Sequence, residues 1–575
     1  MTVTDKFGKI KNVTRSRENT TFGTRLYNSQ DVLITDHKER QNLLNASHFT
    51  TEAACRMELP GVDRFVPIVE EEYELILANV KNKAPGPDGI YVDLWKLVYF
   101  NNKDYVLELL NTCLRLNYFP SLWKRAIVVY LNKKKLEMPR PEHFRPICLL
   151  STLGKTFDRV LAQRLSNYLE VSGAYDEKQY GFRKNRSTME ALRSLIEFSK
   201  KDSRPTAVVS LDLRNAFNSV RYDSIINSLI KYEVPSYLIS TISSFLTNRA
   251  VLNDDGSEFS YNIGVPQGSC LGPILFNAAI NCVLLNQVTE DFKLQAFADD
   301  LVVIFKISAP YLLSRVAEPV LRHIFAWAES NYLSFNLAKC KYTFFRGKKK
   351  IKSIPPLRFE NVRFLYDPNL VYLGIMFDQG LTFIDHLNNV KNKLTALVCK
   401  FKRICTKTWG LKKEVLKVIY LRVLERVILY GHPIWYSDKV KIRQKLGQLQ
   451  RICLLTVTSC YATISTEAVQ VLAGCLPLDL QARMKASLYR ISKWRDPEEC
   501  IKYNIRLDDL DLYTRNNDIM KRLTFDFDRR PVYEHYYYTD GSKYNDAVGA
   551  AYVGFVNGTV REIGKKNPVI TRQSF

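Results

Sequence analysis

Three carboxylates, Asp212, Asp299 and Asp300, stand where apolar runs of the chain end. Asp212 closes TAVVSLDL, and Asp299 and Asp300 lie within LQAFADDLVVIF, where two apolar runs flank an Ala-Asp-Asp corner as in a strand-turn-strand hairpin. A carboxylate at the end of a half-buried strand is poorly hydrated and wants a cation partner. Two brought together want a divalent one, and oxygen ligands that leave room for several waters suit Mg²⁺. Asp212 and Asp299 are therefore read as a magnesium site, and the work of such a site is phosphoryl or nucleotidyl transfer with two metal ions, Mn²⁺ being the alternative ion. Taken singly, Asp212 is equally a helix cap before RNAFNSV, and Asp299-Asp300 equally a plain turn.

The elements around these acids follow from punctuation. Ala84-Pro85-Gly86-Pro87-Asp88-Gly89 is a dense turn signal that opens the folded body, and Pro139, Pro141 and Pro146 break the next stretch into a loop. Between the two acid sites lies NIGVPQGSCLGPILFNAAIN, a loop followed by a helix. Further on, KKEVLKVIYLRVLERVILYG places apolar residues at helical spacing with basic ones between.

In this order, strand-Asp, then Pro-Gln-Gly loop and helix, then Ala-Asp-Asp hairpin, the chain resembles the palm of reverse transcriptases. NKAPGPDGI (82–90), EHFRPICLLSTLGKTFDRVLAQRL (142–165), KQYGFRKNRSTMEAL (178–192), LSFNLAKCK (333–341) and VYLGIMFD (371–378) resemble blocks of one subgroup. That subgroup is the polymerases of non-LTR, LINE-like retrotransposons, with the jockey-like and rDNA-inserting elements the nearest likeness. The resemblance implies an α+β right-hand polymerase with fingers, palm and thumb, followed by an incomplete RNase H-like segment. Its expected division is a leader or linker at 1–60, fingers with the start of the palm at 61–200, palm at 201–380, basic helical thumb at 381–480, connection at 481–530 and a truncated RNase H-like start at 531–575.

Roles carry over residue by residue. Asp212 and Asp299 are the expected metal ligands, with Asp300 in support because adjacent residues of an extended chain face opposite ways. Phe217 matches the aromatic gate against a ribose 2′-hydroxyl, although core packing would also explain it. The subgroup usually has Asp after this Phe, whereas this chain has Asn218. Gln267 of Pro266-Gln267-Gly268 is expected to contact the template or incoming base, in a loop where glycine permits close approach. Arg145 matches the finger arginine, whose fork suits triphosphate oxygens, and Lys133, Lys134 and Lys135 lie nearby. Arg183, Lys184 and Arg186 are expected on template or primer phosphates, and Tyr372 and Gly374 resemble the primer grip. Lys339 aligns with a lysine that could protonate the leaving pyrophosphate.

Composition points to a polyanionic partner. Lys and Arg number 83 against 59 Asp and Glu, a net charge of +24. Residues 391–460 alone hold 16 Lys/Arg and 3 acids, a footprint expected to grip the template-primer backbone. No stretch has the ~18 uncharged apolar residues of a membrane helix, and the opening MTVTDKFGKIKNVTRSRENTTFG lacks the apolar core of a signal peptide and is read as a mobile leader. The 12 cysteines show no Cys-x-x-Cys and no paired-His spacing, as expected of reduced thiols with no zinc site.

The tail EHYYYTDGSKYNDAVGAAYVGFVNG reads as strand, turn and strand, and resembles the start of an RNase H domain with Asp540 as its first acid. One carboxylate cannot build that site, so no RNase H activity is expected, and any target-nicking endonuclease is expected elsewhere. The expected partners are an RNA template, a DNA primer and deoxynucleoside triphosphates, with no membrane; the resemblance implies action in the nucleus, and oligomeric state is left open. A degenerate or domesticated copy that binds nucleic acid without synthesis stands as the alternative. Another right-hand polymerase is disfavoured by Ala-Asp-Asp and Phe217.

Overall fold

The β-branched, apolar run before Asp212 forms strand Thr206–Asp212, the middle of a five-stranded sheet. In the computed structural model this strand pairs antiparallel with Asp300–Lys306 on one side and Lys341–Phe345 on the other, with Phe292–Phe297 and Leu365–Tyr366 at the edges. The structure describes residues 25–51, 59–61, 65–133, 137–284, 291–345, 354–360, 362–403 and 411–505, and the strand backbones 535–544, 547–556 and 559–566. They fall into two compact units, 1–487 and 488–575.

Helix Leu271–Leu284 is apolar all round, and nearly every residue in it is buried, as a helix at the centre of a core must be. It packs with the amphipathic helices Thr152–Val171 and Tyr222–Lys231 into one continuous core against the sheet. Ser269 Oγ, just ahead of its first turn, accepts from Leu271 N and Gly272 N at 3.0 Å each, and the neighbouring helix must complete the set. Asp158, fully buried on the helix Thr152–Val171, does this: Oδ2 accepts from Cys270 N at 2.7 Å, and Oδ1 from Leu271 N at 3.1 Å and Ser269 Oγ at 2.8 Å. Burial still raises the carboxyl above its usual range, against the pull of those bonds.

A second sheet has the order Phe144–Leu150, Arg125–Asn132, Arg249–Leu252, Glu258–Tyr261, and its inner pair is parallel. The hairpin Arg249–Tyr261 thus joins the sheet of Arg125–Asn132 and Phe144–Leu150 and not that of Thr206–Asp212, although the sequence reading grouped it with the latter at 201–380. Strand pairing is decided by burial across the sheet, and Val251 and Tyr261 close a cluster with Ala126, Tyr130, Phe144, Cys148 and Leu150.

That cluster also corrects the reading of 1–60 as leader or linker. Leu26, Leu44 and Phe49 are buried in it, and helix His37–His48, capped by Asp36, lies on the second sheet. The opening residues 1–24 lie outside the described residues.

The described residues of 384–403 and 411–489 are helical apart from short connections. KEVLKVIYLRVLERVI is one helix with a π turn at Tyr420–Leu424. Ahead of it, Asp378 accepts from the amides of Gly380, Thr382 and Phe383, and so fixes the entry to helix Ile384–Arg403. No helix among the described residues is long and apolar enough to cross a membrane.

In the second unit the expected connection begins as helix, Pro497–Lys502, and its residues 506–530 lie outside those described. The tail is an antiparallel meander of three strands, His535–Tyr544, Ala547–Val556 and Thr559–Lys566, one more than the sequence reading gave. Asp540 lies on the first, opposite Ala551.

Two outcomes follow from these contacts. Asp158→Ala leaves Cys270 N and Ser269 Oγ without this acceptor and Leu271 N with Ser269 Oγ alone, and urea unfolding should show a loss of about 2–4 kcal/mol. His386 is buried, and burial followed by the charge of Lys393 lowers its pKa from 6.5 to about 4. The folded state disfavours the imidazolium, so the contribution of neutral His386 is complete above pH 6.5 and is lost as pH falls towards 4. Over that window the unfolding free energy should fall by roughly 3 kcal/mol, a decline that His386→Gln should flatten.

Candidate active site

The register Asp212↔Asp300 brings the end of the central strand level with the Ala298–Asp299 turn. Asp212 and Asp299 both line a cavity of about 960 Å³. Asp300, the first residue of its strand, does not line it, as expected of its alternation with Asp299. Burial and then the charge of Asp212 raise the Asp299 carboxyl, against its own backbone amide and the cations Arg145 and Lys339. Asp300 keeps access to solvent, yet crowding by protein and the charges of Asp299 and Asp212 push it up to about 6. Carboxylates held in this way favour a cation, which is the test a metal site must pass. Among the described residues no cluster of three or more His, Cys, Asp or Glu is placed to hold one. Two carboxylates with the rest of the shell left to water and substrate oxygens suits Mg²⁺ better than a protein cage would.

Each end of this pair is fastened by a motif from elsewhere in the chain. Arg214 N donates to Ser334 O at 2.8 Å and Asn336 N to Asp212 O at 2.7 Å, so the LSFN segment zips along the end of the strand. The turn that follows delivers Lys339, whose Nζ lies 3.2 Å from Asp212 Oδ2. On the other side, Gln179 is fully buried, and its Oε1 accepts from Gly181 N at 2.9 Å and Ala298 N at 3.1 Å. The same segment bonds with Ala296, running parallel to the strand that leads into the Asp299 turn. It passes so close that a Cβ on Gly181 would stand 2.2 Å from Ala298 N.

The rest of the wall gathers most of the expected nucleotide residues. Arg145, Lys133, Phe217, Gln267 and Lys339 all line the cavity. Lys133 is held below the usual lysine range by burial and then by Arg145 and Lys339; Lys134 and Lys135 lie outside the described residues. Phe217 stacks one face on Phe276 with centroids 4.4 Å apart while the ring also walls the cavity. Gln267 Nε2 donates to Asn218 Oδ1 at 3.0 Å, so Asn218 orients the glutamine. In the loop, Gly268 has φ +140, and a Cβ there would meet Cys148 O at 2.4 Å.

Two expected contacts are corrected. The Arg183 guanidinium is spent on Glu170, at 2.9 and 2.7 Å, and on the carbonyls of Asp176 and Gln179, so it ties helix to loop and has no fork left for a phosphate. Tyr372 is buried, its hydroxyl accepts from Gln295 Nε2 at 3.3 Å, and its ring is a core contact. At the tip of its hairpin, Leu373 and Gly374 (φ +46 and +82) form an exposed turn against Tyr430, which donates to Leu373 O at 3.0 Å. Lys184 is exposed, and Arg186 lies over the Tyr180 ring at 5.7 Å.

Sequence reasoning passed over His48, His143, Phe182, Arg214 and Asn336, which also line the cavity. Phe182 is 55% exposed with φ +52, and its ring stands edge-on to Phe217 with centroids 6.2 Å apart. None of these five carries a spacing signal.

Residues 131–377 match the family model described as reverse transcriptase (RNA-dependent DNA polymerase). The chain is 28% identical over 511 residues to a 115 kDa protein of the type-1 retrotransposable element R1DM of Drosophila melanogaster, covering 86% of this chain and 48% of that one. It is 27% identical to the Pol polyprotein of the R1 element of Bradysia coprophila, over 72% of this chain and 42% of the other. It is likewise 27% identical to the RNA-directed DNA polymerase of the mobile element jockey of Drosophila melanogaster, over 68% and 44%. The chain spans about half the length, or less, of these curated relatives.

Gly268→Ala and Gly181→Ala each force a Cβ into backbone, and each should lower the urea unfolding free energy by roughly 2–4 kcal/mol while Gly447→Ala, on an open helix surface, should not.

Proposed function

We propose that this chain, which contains a reverse-transcriptase domain over residues 131–377, is an RNA-directed DNA polymerase of the non-LTR retrotransposon kind. The observation that carries this reading is that Asp212 and Asp299 line one cavity together with Arg145, Lys133 and Lys339. Anionic ligands for metal opposed by cations for phosphate are what transfer of a nucleotide needs.

The reaction is attack of a primer 3′-hydroxyl on the α-phosphate of a deoxynucleotide, with pyrophosphate leaving and RNA as template. Asp212 and Asp299 would hold two Mg²⁺ ions, or Mn²⁺, which when bound lower the pKa of the hydroxyl and stabilise the leaving oxygens. Arg145 and Lys133 neutralise triphosphate charge that those ions leave over. Lys339 Nζ, beside Asp212, carries a proton that can pass to the pyrophosphate. Phe217, backed by Phe276, is a rigid surface for the sugar, and a 2′-hydroxyl would have to displace it. Gln267, oriented by Asn218, keeps its carbonyl oxygen for a base or sugar donor. The exposed turn at Leu373–Gly374 and the basic helices of 391–460 extend the duplex contact, the turn through its backbone in place of the buried Tyr372 ring.

The test is incorporation of labelled dTTP on poly(rA)/oligo(dT) with Mg²⁺. Asp212→Asn and Asp299→Asn should each lower kcat by about a thousandfold or more, Asp300→Asn by much less, and Phe217→Ala should admit ribonucleotides. Tight, salt-sensitive duplex binding without incorporation would replace this reading with the binding-only one.

A further inference from the structure

The segment 25–51 lies outside the matched reverse-transcriptase domain, yet it reaches the cavity wall. Four of its bonds fall on three consecutive residues, 139–141, of the connection between strands Arg125–Asn132 and Phe144–Leu150. Tyr27 N donates to Pro139 O at 3.0 Å, Asp31 Oδ1 accepts from Arg140 Nε and Nη2 at 3.2 and 2.8 Å, and His48 Nε2 lies 3.0 Å from Pro141 O. A carbonyl can only accept, so Nε2 carries the imidazole proton, and burial lowers the His48 pKa and keeps the ring neutral. Immediately after these anchor points come Glu142, His143 and Arg145, which face the cavity, and Lys133 N bonds back to His143 O at 2.8 Å. The segment is itself moored at a buried site away from the cavity. Tyr130 Oη donates to Asn45 Oδ1 at 2.6 Å, and Asn45 Nδ2 to Asn253 Oδ1 at 2.7 Å.

We propose that residues 25–51 form a strap that positions the triphosphate-facing wall of the cavity, with Asp31 and His48 as positioning residues acting through Arg140 and Pro141. The long, charged side chains of Lys133 and Arg145 are exposed, and Lys133 Nζ donates to Glu142 O at 3.3 Å, so their direction depends on the backbone of this same connection. An unanchored connection would spread them over many arrangements, and ordering them would then oppose binding of the nucleotide. A strap of this kind acts on affinity for the incoming nucleotide and leaves the chemical step at Asp212 and Asp299 alone. Packing for stability alone would not produce that split.

The inference rests on the polymerase reading, and the test separates the two. In the full chain, Asp31→Arg and Arg140→Asp each put like charges together at an exposed pair that does not line the cavity, and the double exchange restores opposite charges. His48→Phe keeps a ring beside Tyr130 and removes the donor to Pro141. Each single variant should raise KM for dTTP about three- to tenfold with kcat within about twofold of wild type, and the charge exchange should return KM to near wild type. Amide hydrogen exchange of 139–145 should quicken in the single variants and recover in the exchange. Unchanged KM with quickened amide exchange, or loss of rate in kcat that the charge exchange does not rescue, would overturn the proposal. A wild-type chain without incorporation would remove the polymerase reading by itself, and unaltered amide exchange in every variant would then remove the strap.

Discussion

Everything at the cavity depends on one strand pairing, the antiparallel match of Thr206–Asp212 with Asp300–Lys306. Because side chains alternate, a slip of one residue in this register would turn Asp212 into the core and bring apolar Leu211 to its place at the cavity. The sheet resists such a slip by burying Val208, Val209, Leu211, Val302, Val303 and Ile304 on its two faces. Two carboxylates near each other and short of water strain the fold, so the pairing must be over-determined. It is: the zipper from 334–336 fixes one strand end, and the buried amide of Gln179 fixes the turn at the other.

The motifs between the acids therefore act mainly as joinery. The QYG segment carries no reactive group, and its glutamine and glycine exist to let one backbone lie against another. Asp158 likewise serves the loop after Gln267 by satisfying amides and never reaches the cavity. Asn218 shows how a departure from the usual Asp is absorbed. A neutral amide oxygen still accepts from Gln267, and the cavity wall carries one less negative charge there.

Sequence reasoning read the acids, the Pro-Gln-Gly loop and the helical basic region, because each leaves a local trace in period or punctuation. The alternation of Asp299 and Asp300 was legible for the same reason, since it follows from the pleat alone. Misjudged residues share a different property. Arg183 and Tyr372 look like surface contacts until their partners Glu170 and Gln295, distant in the chain, are seen to occupy them. The hairpin Arg249–Tyr261 sits between two palm elements in sequence, and only the parallel pairing with Arg125–Asn132 shows its true sheet. His48 and Phe182 give no signal, for their roles come from where the chain leads them.

The second sheet has a consequence for how the chain is made. Its strand Arg125–Asn132 waits for Arg249–Leu252, more than a hundred positions later, before its open edge is covered. During synthesis at about 5–20 residues per second, that edge stays bare for several seconds or longer, with Tyr130 and Val128 beside it. Non-local pairing of this kind makes for slow folding and an interval in which strand edges of neighbouring chains can meet. Helix His37–His48, already synthesised by then, covers one face of the nascent hairpin and so acts as a built-in chaperone for a sheet still lacking half its strands.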